Sequence, residues 1–173
     1  MAKIERIGFG QVEPNHLSAQ RTAQIYAQLK AADSFDILEN GQFVKYDYVN
    51  SEVNLTGSGE WMLVLNEVKL YDGNRETYKD FAMIKDSYVD GEMVPRLFKT
   101  NIGDIYTTNC VGGKGTRRTK YEGIELVVGD KLKVDEATGY LVKGEGTEDM
   151  VWEVVKVYNL ADMQPAVKIM RIK

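Results

Sequence analysis

From Ile124 to the C-terminus, short β-rich runs alternate with turn signals, and this rhythm constrains the fold more than any other feature. Ile124-Glu125-Leu126-Val127-Val128 stops at Gly129-Asp130, and Lys131-Leu132-Lys133-Val134 passes through Asp135-Glu136-Ala137-Thr138-Gly139 into Tyr140-Leu141-Val142-Lys143. Met150 to Tyr158 is a further run, and Ala166 to Ile172 alternates apolar and polar residues. Short strands separated by turns every ~8–12 residues predict a small barrel or sandwich. Composition agrees, with 10 Tyr against 5 Phe and 2 Trp, and 16 Gly against 3 Pro. Tyrosine and β-branched residues suit a pleated, half-buried surface, and glycines serve tight turns. No internal repeat or low-complexity tract is evident.

The middle of the chain also reads with a period near two. Phe35 to Leu38 and Phe43 to Tyr48 flank Asn40-Gly41, a pair that favours the positive backbone angles of a tight hairpin. Trp61 to Tyr71 is expected to be a long strand, and Phe81–Ile84, Val94–Phe98 and Ile102–Thr107 shorter ones. Only Ala19 to Leu29 reads as a helix, with Ser18 or Asn15 as N-cap and Ala19, Ala23, Tyr26 and Leu29 on one stripe. Before it, Gly8-Phe9-Gly10 and Pro14 break both periods, so residues 1–17 are expected to form an extended arm that needs a cover. The expectation is a mainly β protein, a β-barrel or β-sandwich, with one short N-terminal helix and an extended N-terminal arm. Residues 18–173 would be the β-rich domain, with a potential subdivision near 109–123.

Charge and rare residues narrow the function. Lys and Arg number 22 and Asp and Glu 26, a net charge of −4, so a nucleic-acid role would need a local basic patch. A single cysteine, Cys110, excludes an internal disulfide framework, and a single histidine, His16, removes most histidine catalysis and most zinc sites. No apolar window is long enough for a membrane helix, and Met1 to Arg6 lacks the apolar run of a signal peptide. These features lead us to expect a cytoplasm-like setting, no membrane partner and no cofactor.

Candidate chemistry is sparse. Lys114, Arg117, Arg118 and Lys120 place four positive charges in a Gly- and Thr-rich loop. The order Lys114-Gly115 departs from a phosphate loop, which needs Gly-Lys-Ser/Thr followed at once by a helix. The loop is expected to be a solvated turn, or to meet an acidic protein face. His16 reads as a local hydrogen-bonding residue and Cys110 as an inert thiol. Asp135 and Glu136, like Glu145, Glu148 and Asp149, fall in turn-rich segments and read as a solvated rim. Phe43, Tyr46 and Tyr48 read as sheet packing rather than a base-stacking platform.

The run Ile7-Gly8-Phe9-Gly10-Gln11-Val12-Glu13-Pro14-Asn15-His16-Leu17-Ser18-Ala19-Gln20-Arg21 resembles the start of virion structural proteins of tailed bacteriophages. Glu60 to Tyr71 and Pro95 to Asp104 are similar to the same group, and Val128 to Leu132 with its Thr138-Gly139 turn resembles small phage decoration and head proteins. The resemblance implies a non-enzymatic structural protein of the virion, made in the host bacterial cytoplasm and binding the capsid as decoration, cement or head-associated subunit. Its partners would be the major capsid protein or neighbouring virion subunits, with a homo-oligomer as the building unit. Partner contacts would fall on Phe9 and on Lys114, Arg117, Arg118 and Lys120. Two other classes stay open: a small β-barrel module that binds nucleic acid or another anionic partner through 114–120, and an enzyme using the acidic clusters.

Overall fold

The computed structural model describes residues 2–4, 6, 8–17, 24–66, 82–88, 90, 92–112, 124–161 and 163–173. The protein is mainly β. Among the described residues there is no α-helix, only a single 3-10 turn at Lys85–Ser87. The strands are β1 (Ala2–Lys3), β2 (Val12–Glu13), β3 (Ile25–Tyr26), β4 (Lys30–Ala31), β5 (Ile37–Glu39), β6 (Phe43–Asp47), β7 (Glu52–Asn54) and β8 (Met62–Val64). They continue as β9 (Ala82–Ile84), β10 (Leu97–Phe98), β11 (Ile105–Thr108), β12 (Glu125–Leu126), β13 (Lys131–Val134), β14 (Leu141–Lys143), β15 (Trp152–Asn159) and β16 (Pro165–Arg171).

These strands form separate sheets, and among the described residues no barrel closes. One six-stranded sheet runs β3-β10-β8-β6-β7-β4, a second runs β14-β13-β15-β16-β11-β2, and β1-β12 and β5-β9 are two-stranded. Alternation along the first sheet explains the layering. Phe43, Leu63 and Phe98 point into one core with Trp152, Tyr106, Leu132 and Ile169 of the second sheet. Val44, Tyr46, Met62, Val64 and Leu97 point the other way, into a core closed by Leu38 of β5 and Met83 of β9. A sheet buried on both faces needs apolar residues at consecutive positions, which is why β8 reads Met-Leu-Val without polar alternation.

The expected helix is overturned in its described part. Ile25 and Tyr26 pair with Phe98 and Leu97 in an antiparallel ladder, and the Lys99 N–H donates to the Gln24 carbonyl at 2.8 Å. Helix propensity at Ala, Gln and Leu positions is worth only tenths of a kcal/mol each, less than a paired edge with a buried ring contact. The Tyr26 ring meets Tyr46 edge-on at 5.4 Å. Residues 18–23, and with them the proposed N-cap Ser18, lie outside the described residues, as does most of the long strand expected over Trp61–Tyr71.

Asn40-Gly41 does turn the chain, with Gly41 at φ +93°. It does not close a hairpin, because β5 pairs with β9 while β6 pairs with β7 and β8. The Gln42 N–H closes the turn onto the Glu39 carbonyl at 3.2 Å, but the Gly41 N–H donates to Val64 and the Asn40 side chain accepts from Asn66 N–H, which ties the turn to β8 and its flank instead of extending a β5–β6 ladder.

The N-terminal segment finds its cover within the chain. Ile4, Arg6, Gln11 and Leu17 are buried, β1 pairs with β12, and β2 extends the second sheet alongside Thr107 and Thr108.

Candidate functional site

Four places combine chemistry-bearing residues. The first is buried beneath the N-terminal segment. The Arg6 guanidinium forms an ion pair with Glu39, both fully buried, and also donates to the Cys110 sulfur at 3.4 Å. The Tyr140 hydroxyl donates to the second Glu39 oxygen, and the Gly10 N–H donates to the first at 3.1 Å. The Arg6 guanidinium lies 5.5 Å from the Tyr140 ring centroid. Burial pushes the Cys110 thiol up to about 12, and burial first, then the Cys110 and Glu39 charges, raises Tyr140 strongly. A thiol held protonated and closed off from solvent is no nucleophile, so this cluster joins the N-terminal segment, β5 and the β13–β14 turn.

The second place is a cleft of about 600 Å³ between the two large sheets. Lys45, Glu60 and Trp61 line one wall and Asp135, Glu136 and Glu148 the other. The Lys45 Nζ sits 4.4 Å from the Trp61 ring centroid, a cation–π contact. The carboxylates expected as a solvated rim therefore meet here, but several serve turns. Asp135 accepts from the Thr138 hydroxyl, and Glu148 accepts from the N–H groups of Glu145 (3.0 Å) and Gly146 (2.8 Å); its own backbone N–H first, then that of Glu145, holds its carboxyl below the usual range. Glu60 is paired with Lys99 at 2.5 Å.

The third place is a pair of equivalent turns. Asn101-Ile102-Gly103-Asp104 leads into β11, and Val127-Val128-Gly129-Asp130 leads into β13. In each, the aspartate N–H donates to the carbonyl of the first residue, at 3.0 and 3.1 Å, and the aspartate carboxylate accepts from the first residue's N–H, at 2.7 and 2.9 Å. Each glycine N–H then donates to a neighbouring strand, Gly103 to Arg171 and Gly129 to Val154, both at 2.8 Å, and those two residues return a bond to the aspartate carbonyl, both at 2.9 Å. Gly103 and Gly129 both stand at φ +94°, which a side chain would resist. Because Lys131, Glu153, Met170 and Ile105 lie in one row across β13, β15, β16 and β11, exchanging β15 with β16 maps one turn onto the other. The turns point to opposite ends of this four-strand block. Ile102 is 70% exposed and Val128 is 65% exposed at their tips.

The fourth place lies on the open face of the second sheet, where Lys156 and Lys168 flank Tyr158.

Of the residues singled out from sequence, Phe9 is half-buried, while Lys114, Arg117, Arg118 and Lys120 lie outside the described residues. His16 is exposed, and its N–H donates to the Ile105 carbonyl at 2.8 Å. Phe43 and Tyr46 are core residues, while Tyr48 is exposed. Sequence reasoning read the turn at Gly129-Asp130 but placed Ile102–Asp104 in the strand expected over Ile102–Thr107, which begins only at Ile105. It missed that the two turns are equivalent, although an apolar residue followed by Gly-Asp ahead of a strand, at 102–104 and 128–130, was the signal. Among the described residues no group of three His, Cys, Asp or Glu side chains is placed to hold a metal ion. No helix is long and apolar enough to cross a membrane among the described residues. No protein family model matches the chain, and no curated protein and no solved structure matches it.

Proposed function

We propose that this protein is a structural subunit that docks partner proteins through fixed turn tips, and that its setting is a tailed-phage particle, where it decorates or cements the capsid. The observation that carries the reading is the pair of hydrogen-bonded turns displaying Ile102 and Val128. Turn tips are ordinarily polar; here two apolar side chains are held in water on backbones with little freedom left to lose. Preorganised apolar anchors of this kind bind without an ordering penalty, and full burial of each stabilises by ~1.5–3 kcal/mol. Opposed tips on one body suit a subunit that bridges two neighbours. The phage setting rests on the sequence resemblance of residues 7–21, 60–71 and 95–104.

The test is occupancy on purified particles. Ile102→Asp with Val128→Asp alters only exposed tips, so circular dichroism and the unfolding midpoint should match the parent while particle occupancy falls at least tenfold. Undiminished occupancy would remove the tips as anchors, and absence of the parent protein from particles would remove the setting.

A further inference from the structure

The outer face of the second sheet brings two lysines together at a structural cost. Lys156 and Lys168 are direct cross-strand partners on β15 and β16. Like charges directly opposite one another destabilise a sheet. The pairing is made by an irregularity: the register shifts between Val154 and Lys156, with Val154 opposite Ile169 and Lys156 opposite Lys168. In a regular ladder Val155 would face Lys168 and Lys156 would turn to the other side, so the bulge is what aims Lys156 outward. Bulges recur where a side chain must be re-aimed for use.

The neighbourhood is arranged around the same two cations. Their Nζ atoms lie 5.3 and 5.7 Å from the centroid of one ring, that of Tyr158. That ring is fixed by its hydroxyl, which bonds Thr107 Oγ1 at 2.6 Å and donates to Glu13 at 3.2 Å. The lysines of β13 and β14 all meet carboxylates, Lys131 with Glu153, Lys133 with Glu148 and Lys143 with Asp130. Lys156 and Lys168 differ: among the described residues, neither has a carboxylate within 4.0 Å. In a chain with 26 acidic residues and a net charge of −4, this unrelieved pair is a local cationic island.

We infer that Lys156 and Lys168, braced on Tyr158, form a docking site for a carboxylate-bearing segment of a partner protein. Two ammonium groups on neighbouring strands suit one carboxylate between them, with charge-assisted hydrogen bonds from both sides. A nucleic acid fits less well, because its phosphate array would also meet the acidic body around two lysines, whereas a short acidic segment needs only the local potential. This site is separate from the turn tips and stands or falls without them.

The test uses the full-length protein with hexaglutamate as probe, a 20-base-pair DNA duplex as competitor, and three variants: Lys156→Gln, Lys168→Gln and, as control, Lys143→Gln. Thermal midpoints and probe affinities are read at fixed ionic strength. Removing either unpaired lysine should raise the midpoint of the free protein, because repulsion is relieved. The same change should weaken hexaglutamate binding by about three- to fivefold. Lys143→Gln should leave hexaglutamate affinity unchanged. A lowered midpoint in both Lys156→Gln and Lys168→Gln would mark the lysines as packing for Tyr158 and overturn the inference. So would hexaglutamate affinity unaltered by either change, or tighter binding of the duplex than of the peptide.

Discussion

Arg6→Met is expected to be the most damaging conservative-volume substitution in the N-terminal segment. Arg6 and Glu39 are both fully buried, and Glu39 accepts from Arg6, from the Tyr140 hydroxyl and from the Gly10 N–H. Taking away the guanidinium leaves a carboxylate closed off from water with only two neutral donors. Breaking a buried ion pair from one side costs ~3–5 kcal/mol, a large share of the ~5–15 kcal/mol that holds a domain folded. Glu39→Leu should also destabilise, since it takes the acceptor away from the buried Arg6 guanidinium, the Tyr140 hydroxyl and the Gly10 N–H. The double variant should be far less damaged than the sum, recovering ~2 kcal/mol or more, because the two substitutions remove one shared buried interaction. Urea unfolding followed by circular dichroism gives all three values from midpoints at constant slope. A cost for Arg6→Met below ~1 kcal/mol, or strict additivity in the double variant, would show that the ion pair does not hold the segment in place.

Alkaline pH should destabilise the protein. The folded state keeps the Cys110 thiol protonated up to about 12, against 9.0 for a free thiol, and burial raises Tyr106 and Tyr140 as well. Each raised group leaves stability intact below its unfolded value and removes it above, so the decline begins near pH 9 at ~1.4 kcal/mol per pH unit for one proton. Cys110→Ala should flatten that slope by one proton between pH 9 and 10, measured by urea midpoints; an unchanged slope refutes the assignment. Gly41→Val should cost ~3 kcal/mol, from strain at positive φ together with overpacking. The added Cβ would stand 2.6 Å from the Cys110 Cβ and 2.8 Å from Thr108 Oγ1, so an unchanged unfolding midpoint would contradict both the angle and the contact.

The second sheet was the legible part of the sequence. Lys131–Val134 alternates half-buried and buried residues along one strand, and Thr138-Gly139 turns it into Leu141–Lys143, as the pattern of apolar and polar residues implied. Ile25-Tyr26 was illegible because its strand exists only through pairing with Leu97-Phe98, some seventy residues on, while the Ala, Gln and Leu residues around it favour helix. Asn40-Gly41 announced a turn correctly, but which sheet each flanking strand joins depends on bonds to Val64 and Asn66 that local chemistry does not encode. The site was harder still. Lys156 and Lys168 are unremarkable in sequence, and only the shifted register makes them opposite neighbours. The basic run Lys114 to Lys120 drew attention instead because charge density is visible in a sequence and strand register is not.

The placement of β1 has a consequence for synthesis. Ala2 and Lys3 leave the ribosome long before their partners Leu126 and Glu125, and Ile4 waits for the carbonyl of Ile124. Arg6 meets Glu39 early but needs Cys110, and Glu39 needs Tyr140, before the polar cluster is complete. At elongation speeds of about 5–20 residues per second, β1 waits ~6–25 s for its partner to be made. Throughout that interval Ile4 has no place to be buried, which exposes the nascent chain to holding chaperones. Synthesis of β12 therefore sets the earliest moment at which β1 can pair and this part of the fold can close.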